Sequence, residues 1–358
     1  MKRPLRILSV IDIPWNSGLA SYAFDQALAL RGAGHEVFFA CPAGSAAAAF
    51  AAREGFRSYV IPGRKSRLGL PLAALKLRAA AKACSADVVC AHTGSTQTLS
   101  CLLGLPLIRV KADARKPSAG FTFSAVDGVI AASGYIAGLY AEAGLPSAKV
   151  ATIRQGIALP DVPPPAAGKP LKIGMLGRLD PVKGHEVFLR AAAILLASGA
   201  KAEFHVAGYE ANIKYADLLR LAEELEIADS VVFHGRVDGP FNFIGSCDVG
   251  VIASLGSEAV SRAALEWLAA GRPLVSTTAG SLPEYAGPGW LVPPGDPAAL
   301  AAKIGELLSA PEKIAAEGER NRARAAADFS PAAFASATLK IFEDAAAGSA
   351  RRAGWAEV

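Results

Sequence analysis

No stretch of this chain approaches the roughly 18 to 20 uninterrupted apolar residues that a membrane-spanning helix needs, so any membrane contact is expected to be peripheral. The opening MKRPLRILSVIDIPW is basic and partly apolar, but its apolar run is short and Asp12 interrupts it. It reads as a first β-strand and not as a signal peptide. Cysteine is scarce: the five residues Cys41, Cys84, Cys90, Cys101 and Cys247 are odd in number and show no C-x-x-C spacing. Neither a disulfide framework nor a zinc ribbon is indicated, and a reducing cytoplasm fits best. There is no D-x-D, no H-x-x-x-H, no G-x-S-x-G, no P-loop and no G-x-G-x-x-G. Metal-dependent hydrolysis, P-loop chemistry and dehydrogenation therefore lose ground, and no metal is expected.

Acid is missing from one long stretch. Between Glu54 and Asp87 there is none, while Arg57, Arg64, Lys65, Arg67, Lys76, Arg78 and Lys82 gather around LGLPLAALKL. A basic, amphipathic segment over 57–82 suits an anionic membrane surface or a phosphorylated acceptor; a solvated helix face on a basic protein suits it equally. The charge is uneven on the larger scale too. Residues 1–155 hold 18 Lys+Arg against 8 Asp+Glu, and the remainder holds 19 against 24. The two halves are expected to face different partners.

What is present is a composition that is 52% apolar with 35 Gly and 23 Pro, over 358 residues. That length exceeds one ordinary core and predicts two domains. Apolar runs alternate with helical stretches from RILSVI to GYIAGLYAEAG, break at the Pro-rich GIALPDVPPPAAGKP, and resume with LKIGMLGR. Repeated βαβα succession predicts α/β architecture, two doubly wound parallel sheets in tandem. The expected domains are 1–160, 161–330, and a last helical region in 331–358 that returns to the first. Ligands of such sheets bind beyond the carboxyl ends of the strands.

Two constellations carry chemistry. In GMLGRLDPVKGHEVFLRA a strand ends at Gly177, a turn carries Arg178 and Lys183, and a helix begins near His185. Free helix N–H groups with two fixed cations suit a diphosphate; solvated loop charges would look the same. In GSEAVSRAALEWLAAGRP, Glu266 stands alone in the apolar run Ala263–Ala270, and Gly271 with Pro273 supplies a helix stop. A carboxylate short of water must be paired or await a donor of hydrogen bonds. Arg262, one turn earlier, is the competing partner. Glu258 stands near the start of the same helix, so eight positions separate the two carboxylates by about 12 Å of rise, which suits the two ends of an elongated ligand.

These motifs resemble those of retaining glycosyltransferases of family 4, whose fold is GT-B. GRLDPVKG resembles their phosphate-binding segment, CDVGVIASLGSEAVSRAALEWLAAGRPLVST their paired-glutamate region, and TTAGSLPEYAGPGWLVPPGDPAALAAKI the segment closing the donor site. The resemblance implies two Rossmann-like domains facing a cleft, and a nucleotide-diphosphate sugar as co-substrate (UDP, GDP or ADP) with no cofactor. It gives Arg178 and Lys183 the diphosphate, Glu258 the donor sugar and Glu266 the ribose. It places the backbone near Arg236 and Val237 at the base, and Gly18 of WNSGLASYAF in the loop facing the phosphates. Ser261 stands where a glycine is common, and Ala112, between Lys111 and Asp113, where many relatives place a histidine. Lys111, Asp113 and the strand-end His92 are the acceptor candidates, although His92 is as readily a core or solvent residue. The expected function is metal-independent, retaining glycosyl transfer to a cell-envelope glycolipid or lipopolysaccharide core, in the cytoplasm or at the inner membrane face, with no nucleic-acid partner. A non-catalytic nucleotide-sugar binder of the same fold is the alternative.

Overall fold

The computed structural model describes residues 3–63, 69–118, 120–165, 170–256 and 258–348. The chain divides into two compact units, Met1–Gly156 with Pro331–Val358, and Ile157–Ser330. The first division thus falls at 156/157, slightly ahead of the expected 160/161.

In the first unit β1 (Arg6–Val10), β2 (Glu36–Cys41), β3 (Arg57–Val60), β4 (Val88–Ala91), β5 (Leu107–Lys111), β6 (Gly128–Ala131) and β7 (Val150–Thr152) form one sheet. Their order is β3-β2-β1-β4-β5-β6-β7, and every pairing is parallel. Parallel neighbours need crossovers, which α1 (Gly18–Gly32), α2 (Ala46–Glu54), α3 (Leu70–Ala83), α4 (Gly94–Ser100), α5 (Phe121–Ser124) and α6 (Gly134–Glu142) supply. Strands covered on both faces are apolar throughout: all four residues of β4 and of β6 are buried. Ser17 starts α1 because its hydroxyl accepts from the Ala20 N–H at 3.3 Å.

The second unit repeats the plan with β8 (Leu171–Leu176), β9 (Ala202–Ala207), β10 (Val231–Gly235), β11 (Val249–Ile252), β12 (Leu274–Thr277) and β13 (Leu291–Val292). They are ordered β10-β9-β8-β11-β12-β13. Helices α7 (His185–Ala197), α8 (Tyr215–Glu224), α9 (Pro240–Gly245), α10 (Arg262–Ala269), α11 (Pro297–Leu308) and α12 (Pro311–Asp328) complete it. Trp267 of α10 is fully buried, and its ring packs against the sheet at Gly250; a Cβ there would come within 2.3 Å of the indole. The Pro-rich stretch is held by this unit's own arginines: Arg272 Nη2 donates to Pro163 O at 2.9 Å and Arg322 Nη2 to Pro160 O at 3.1 Å.

The last helix, α13 (Pro331–Ala346), belongs to the first unit, where Phe334 meets the Tyr22 ring edge-on at 5.4 Å. All five cysteines are free thiols. Among the described residues no helix is long and apolar enough to cross a membrane.

Both sheets reverse their strand order at one point, between β1 and β4 in the first and between β8 and β11 in the second. The loops leaving the carboxyl ends of adjacent strands diverge there and leave room for a ligand.

Candidate active site

At the reversal of the second sheet, the loop after β8 meets the loop after β11. The first is held against the second by a glycine that no other residue replaces without strain. Gly184 (φ +75) starts α7 so close to the β11 loop that a Cβ would lie 2.0 Å from Ala253 O. Asp180 fixes the β8 loop: its carboxylate accepts from Val182 N–H at 3.1 Å and from Asn212 Nδ2 at 2.8 Å. Arg178 Nη2 lies 3.4 Å from the same carboxylate, with its side chain 42% exposed. Lys183 crosses to the other loop, its ammonium 2.5 Å from Glu258 Oε1. His185, the first residue of α7, is buried, and burial pushes its pKa down to about 4, with the Lys183 charge acting in the same direction.

Glu258 does not stand on the helix that carries Glu266. The helix begins only at Arg262, capped by Ser261, whose hydroxyl accepts from Ala264 N–H at 3.4 Å. Glu258 sits in the preceding loop, 2% exposed, and takes a second hydrogen bond from Ser254 Oγ at 2.6 Å. Its backbone carbonyl accepts from Ser281 N–H at 2.7 Å, an approach made possible by Gly280 (φ +57), where a Cβ would lie 2.1 Å from that oxygen. The rise expected for two glutamates on one helix therefore does not apply. The loop folds back because the buried carboxylate and its carbonyl both find partners there.

Glu266 is on α10, 9% exposed, and has the competing partner foreseen for it: Arg262 Nε donates to Glu266 Oε1 at 3.1 Å. The apolar run around Glu266 thus does not by itself demand a ligand. The pair is not sealed, since the Arg262 side chain is one-third exposed. Ser261 spends its hydroxyl on the helix end. Arg236 and Val237 follow β10 at the same carboxyl side, Arg236 exposed and Val237 packed against the core that holds Leu265 and Leu268.

At the reversal of the first sheet, the loops after β1, β4 and β5 line a cavity of about 530 Å³. Gly18 opens α1 beside it, and Trp15, Ser17, Thr93 and Ser95 face it. Lys111 and Asp113 also line it, joined by a short ammonium–carboxylate contact, with Lys111 Nζ also 2.8 Å from Asp113 O. Arg109 Nη2 approaches the other carboxylate oxygen at 3.6 Å. Burial raises the Asp113 pKa, but the hydrogen bond and charge of Lys111 and the charge of Arg109 outweigh it and hold it below the ordinary value. Burial lowers that of Lys111, offset in part by Asp113.

His92 needs correction. It is fully buried just past β4, its Nε2 2.9 Å from Ser9 Oγ, and burial aided by the Arg109 charge pushes its pKa to about 3. With no exposed surface and its ring turned to Ser9, it is a core histidine out of an acceptor's reach, the alternative already weighed for it. Sequence reasoning missed Arg109, Asp12, Asp180, Ser254 and Gly280. Of these only Asp180 had a local signal, the Asp-Pro turn before Lys183.

Comparison with known proteins decides the family. The model for "Glycosyltransferase Family 4" matches residues 16–159, and that for "Glycosyl transferases group 1" matches 170–310. The chain belongs to glycosyltransferase family 4. Over 134 residues this family 4 chain is 38% identical to the MMP alpha-(1->4)-mannosyltransferase of Mycolicibacterium hassiacum, covering 36% of this chain and 32% of the relative. It is 35% identical over 179 residues to D-inositol 3-phosphate glycosyltransferase 2 of Catenulispora acidiphila, covering 47% and 42%. The chain thus matches less than half the length of either relative. In fold it is similar to a glycosyltransferase from Rickettsia africae, with TM-score 0.83 and 17% identity over 96% of this chain and 99% of the other. The two parallel-sheet units are those of the GT-B fold.

Proposed function

We propose that this family 4 member is a retaining, metal-independent glycosyltransferase using a nucleotide-diphosphate sugar. The observation that carries the reading is the meeting of Lys183, Glu258 and the start of α7 at the reversal point of the second sheet. Arg178 and Lys183 stand where a diphosphate would lie against the helix N-terminus, and both are held by carboxylates that a phosphate can displace. As the glycosidic bond breaks, negative charge grows on the leaving phosphate oxygen, and fixed cations stabilise it without a metal. Glu258 accepts from hydroxyls of the donor sugar, and Glu266 from the ribose once Arg262 shifts. UDP, GDP and ADP are equal candidates.

Retention follows from attack on the face the leaving group departs. The acceptor oxygen bonds to the anomeric carbon, the carbon–oxygen bond to the phosphate breaks, and the acceptor proton passes to that phosphate oxygen, so no side-chain base is needed. Incubation with donor in EDTA, and NMR of the product, test this together. Transfer with the donor's anomeric configuration kept supports it; inversion, or activity only with added metal, counts against it. Ala112 keeps a second reading open, a nucleotide-sugar binder without transfer. Donor binding with no turnover on any acceptor would favour it.

The acceptor is proposed to be anionic or lipid-linked, a cell-envelope glycolipid or lipopolysaccharide core, met at the inner face of the membrane. Support comes from α3, where Leu70, Leu72 and Leu75 are exposed beside Lys76, Arg78 and Lys82. Arg64, Lys65 and Arg67 of the same basic segment lie outside the described residues. Sedimentation with anionic vesicles at low salt is expected to carry the protein down, and equal partition with neutral vesicles would refute the contact.

A further inference from the structure

Away from the candidate active site, a row of three titratable side chains crosses the edge of the second sheet. β10 is the edge strand, with β9 as its one neighbour. Its ladder runs in register from Val231 to Phe233 and then slips, so that Gly235 takes the next place on β9 and His234 is left over. At such a bulge one residue goes unpaired and the ladder is interrupted. Side chains supply a tie there instead: His205 Nδ1 lies 2.9 Å from His234 Nε2, and His205 Nε2 lies 3.3 Å from Glu203 Oε2. The two imidazoles stack with centroids 5.1 Å apart, and the Phe243 ring of α9 meets His234 edge-on at 5.2 Å. His205 is buried and His234 is exposed.

The carboxylate decides where the protons sit. An ionised carboxylate only accepts, so His205 carries hydrogen on Nε2 and, while neutral, has a bare Nδ1. His234 must then donate from its own Nε2. One added proton is tolerated: His205 becomes an imidazolium donating to both neighbours, and the hydrogen of His234 moves to its outer Nδ1. A second proton is not, because two N–H groups and two positive charges would then face each other across the same gap. Lys172, the register partner of Glu203 on β8, adds a positive charge. Burial holds the His205 ring below the ordinary histidine range against the hydrogen bond to Glu203, helped by the charges of His234 and Lys172; burial and Lys172 do the same at His234. Other elements add little charge to this face. α9 carries no charged residue, α8 packs on the opposite face through Tyr215 against Phe233, and the Asp248 carboxylate is turned to the Lys172 N–H at 2.8 Å. Past the bulge stand the exposed Arg236 and Asp238.

The strand end that this row secures leads directly into Arg236 and Val237. Gly235 O accepts from Gly208 N–H at 2.9 Å, and Gly208 lies so close to the β8 loop that a Cβ would come within 1.9 Å of Gly177 O. We propose that Glu203, His205 and His234 form a proton-operated latch, closed with no proton or one added and released by a second, which frees the end of β10 and the Arg236–Val237 turn. The latch rests on this geometry alone; its effect on nucleotide binding rests on the proposed function.

Hydrogen exchange of the full chain, with rates corrected for the intrinsic effect of pH, tests the release. Between pH 7 and pH 5 the protection of residues 233–237 is expected to fall about fivefold more in the wild type than in H234Q, the share of one hydrogen bond. The glutamine amide can donate to or accept from His205 Nδ1 and does not titrate, whereas H234A lacks the added protection already at pH 7. Long-range proton–nitrogen NMR of the wild type labelled at its histidines needs no variant: at pH 8 both His205 and His234 are expected to carry hydrogen on Nε2. Equal loss of protection in wild type and H234Q, or His205 with its hydrogen on Nδ1, overturns the latch. Affinity for UDP, GDP or ADP, measured at the same two pH values, is expected to fall more in the wild type than in H234Q, since protonation of the terminal phosphate weakens both alike. Equal falls would overturn the effect on nucleotide binding. Exchange as expected with no nucleotide bound by either protein would strike the donor reading and leave the latch standing.

Discussion

Lys183 and Glu258 close an ion pair at 2.5 Å between two loops 75 residues apart, across the line where the second sheet reverses its strand order. The carboxylate is 2% exposed and the lysine side chain 27%, so the pair opens on the lysine side only. A ligand phosphate arriving there can draw the ammonium away while Ser254 still satisfies Glu258. Glu258 thus holds the Lys183 ammonium at the sheet reversal, where the proposed function puts the donor diphosphate.

Replacing Lys183 by Ala removes that cation and leaves a buried carboxylate with one hydroxyl partner. Turnover is expected to fall by about 10²–10³, the usual effect of losing one fixed charge-stabilising donor. The fold weakens by about 1–3 kcal/mol, read by urea denaturation, and K183A/E258Q recovers much of that stability but not the activity.

Gly280 offers a separate handle on the same carboxylate. At φ +57, with Glu258 O 2.1 Å from a would-be Cβ, Gly280→Ala must displace the loop or break the Ser281 N–H contact. A loss of about 1–3 kcal/mol is expected, with a rise in the donor KM. Denaturation and donor kinetics on the one variant check both, and wild-type behaviour would remove the positioning role given to this turn.

How much of this was legible beforehand differs from element to element. Strands such as β4 and β6 announced themselves because parallel strands are apolar on both faces. The helix α12 did not: it is rich in charge, and buries only Ile314, Gly318, Asn321 and Ala325, a stripe too polar to register as an apolar period. The three residues of β7 were too few. Arg178 and Lys183 were readable from strand, turn and helix start, and Arg262 as the partner of Glu266 from its spacing. Glu258 was misplaced because GSEAVS reads as continuous with the helix, whereas the reason it is not lies in Lys183 and Ser281, remote contacts that no local pattern records. His92 looked reachable at a strand end, and only tertiary packing shows it covered.

Acid should destabilise the protein through two histidines. His92 and His185 are buried neutral, with pKa values pushed to about 3 and about 4. Between those values and the ordinary 6.5 the unfolded chain binds protons that the folded one does not, so stability is full above about pH 6.5 and falls as pH drops. Each is expected to contribute a loss of about 2 kcal/mol between pH 7.5 and pH 5. Urea titrations at the two pH values check this, and His92→Asn should flatten the difference.

Gly250→Ala probes the seat of α10. Its Cβ would lie 2.3 Å from the Trp267 indole, and overpacking of that degree costs about 1–3 kcal/mol or more. Because Glu266 precedes Trp267, nucleotide affinity should fall along with stability. Thermal melts with and without nucleotide diphosphate separate the two effects.

Calorimetric titration of UDP, GDP and ADP into the wild type, R178A, K183A and E266A, all in EDTA, tests the diphosphate and ribose assignment most directly. One nucleotide is expected to bind the wild type and to lose at least about tenfold in affinity in each variant, the cost of about 1.4 kcal/mol per lost contact. Binding that is undiminished in all three variants would contradict the assignment.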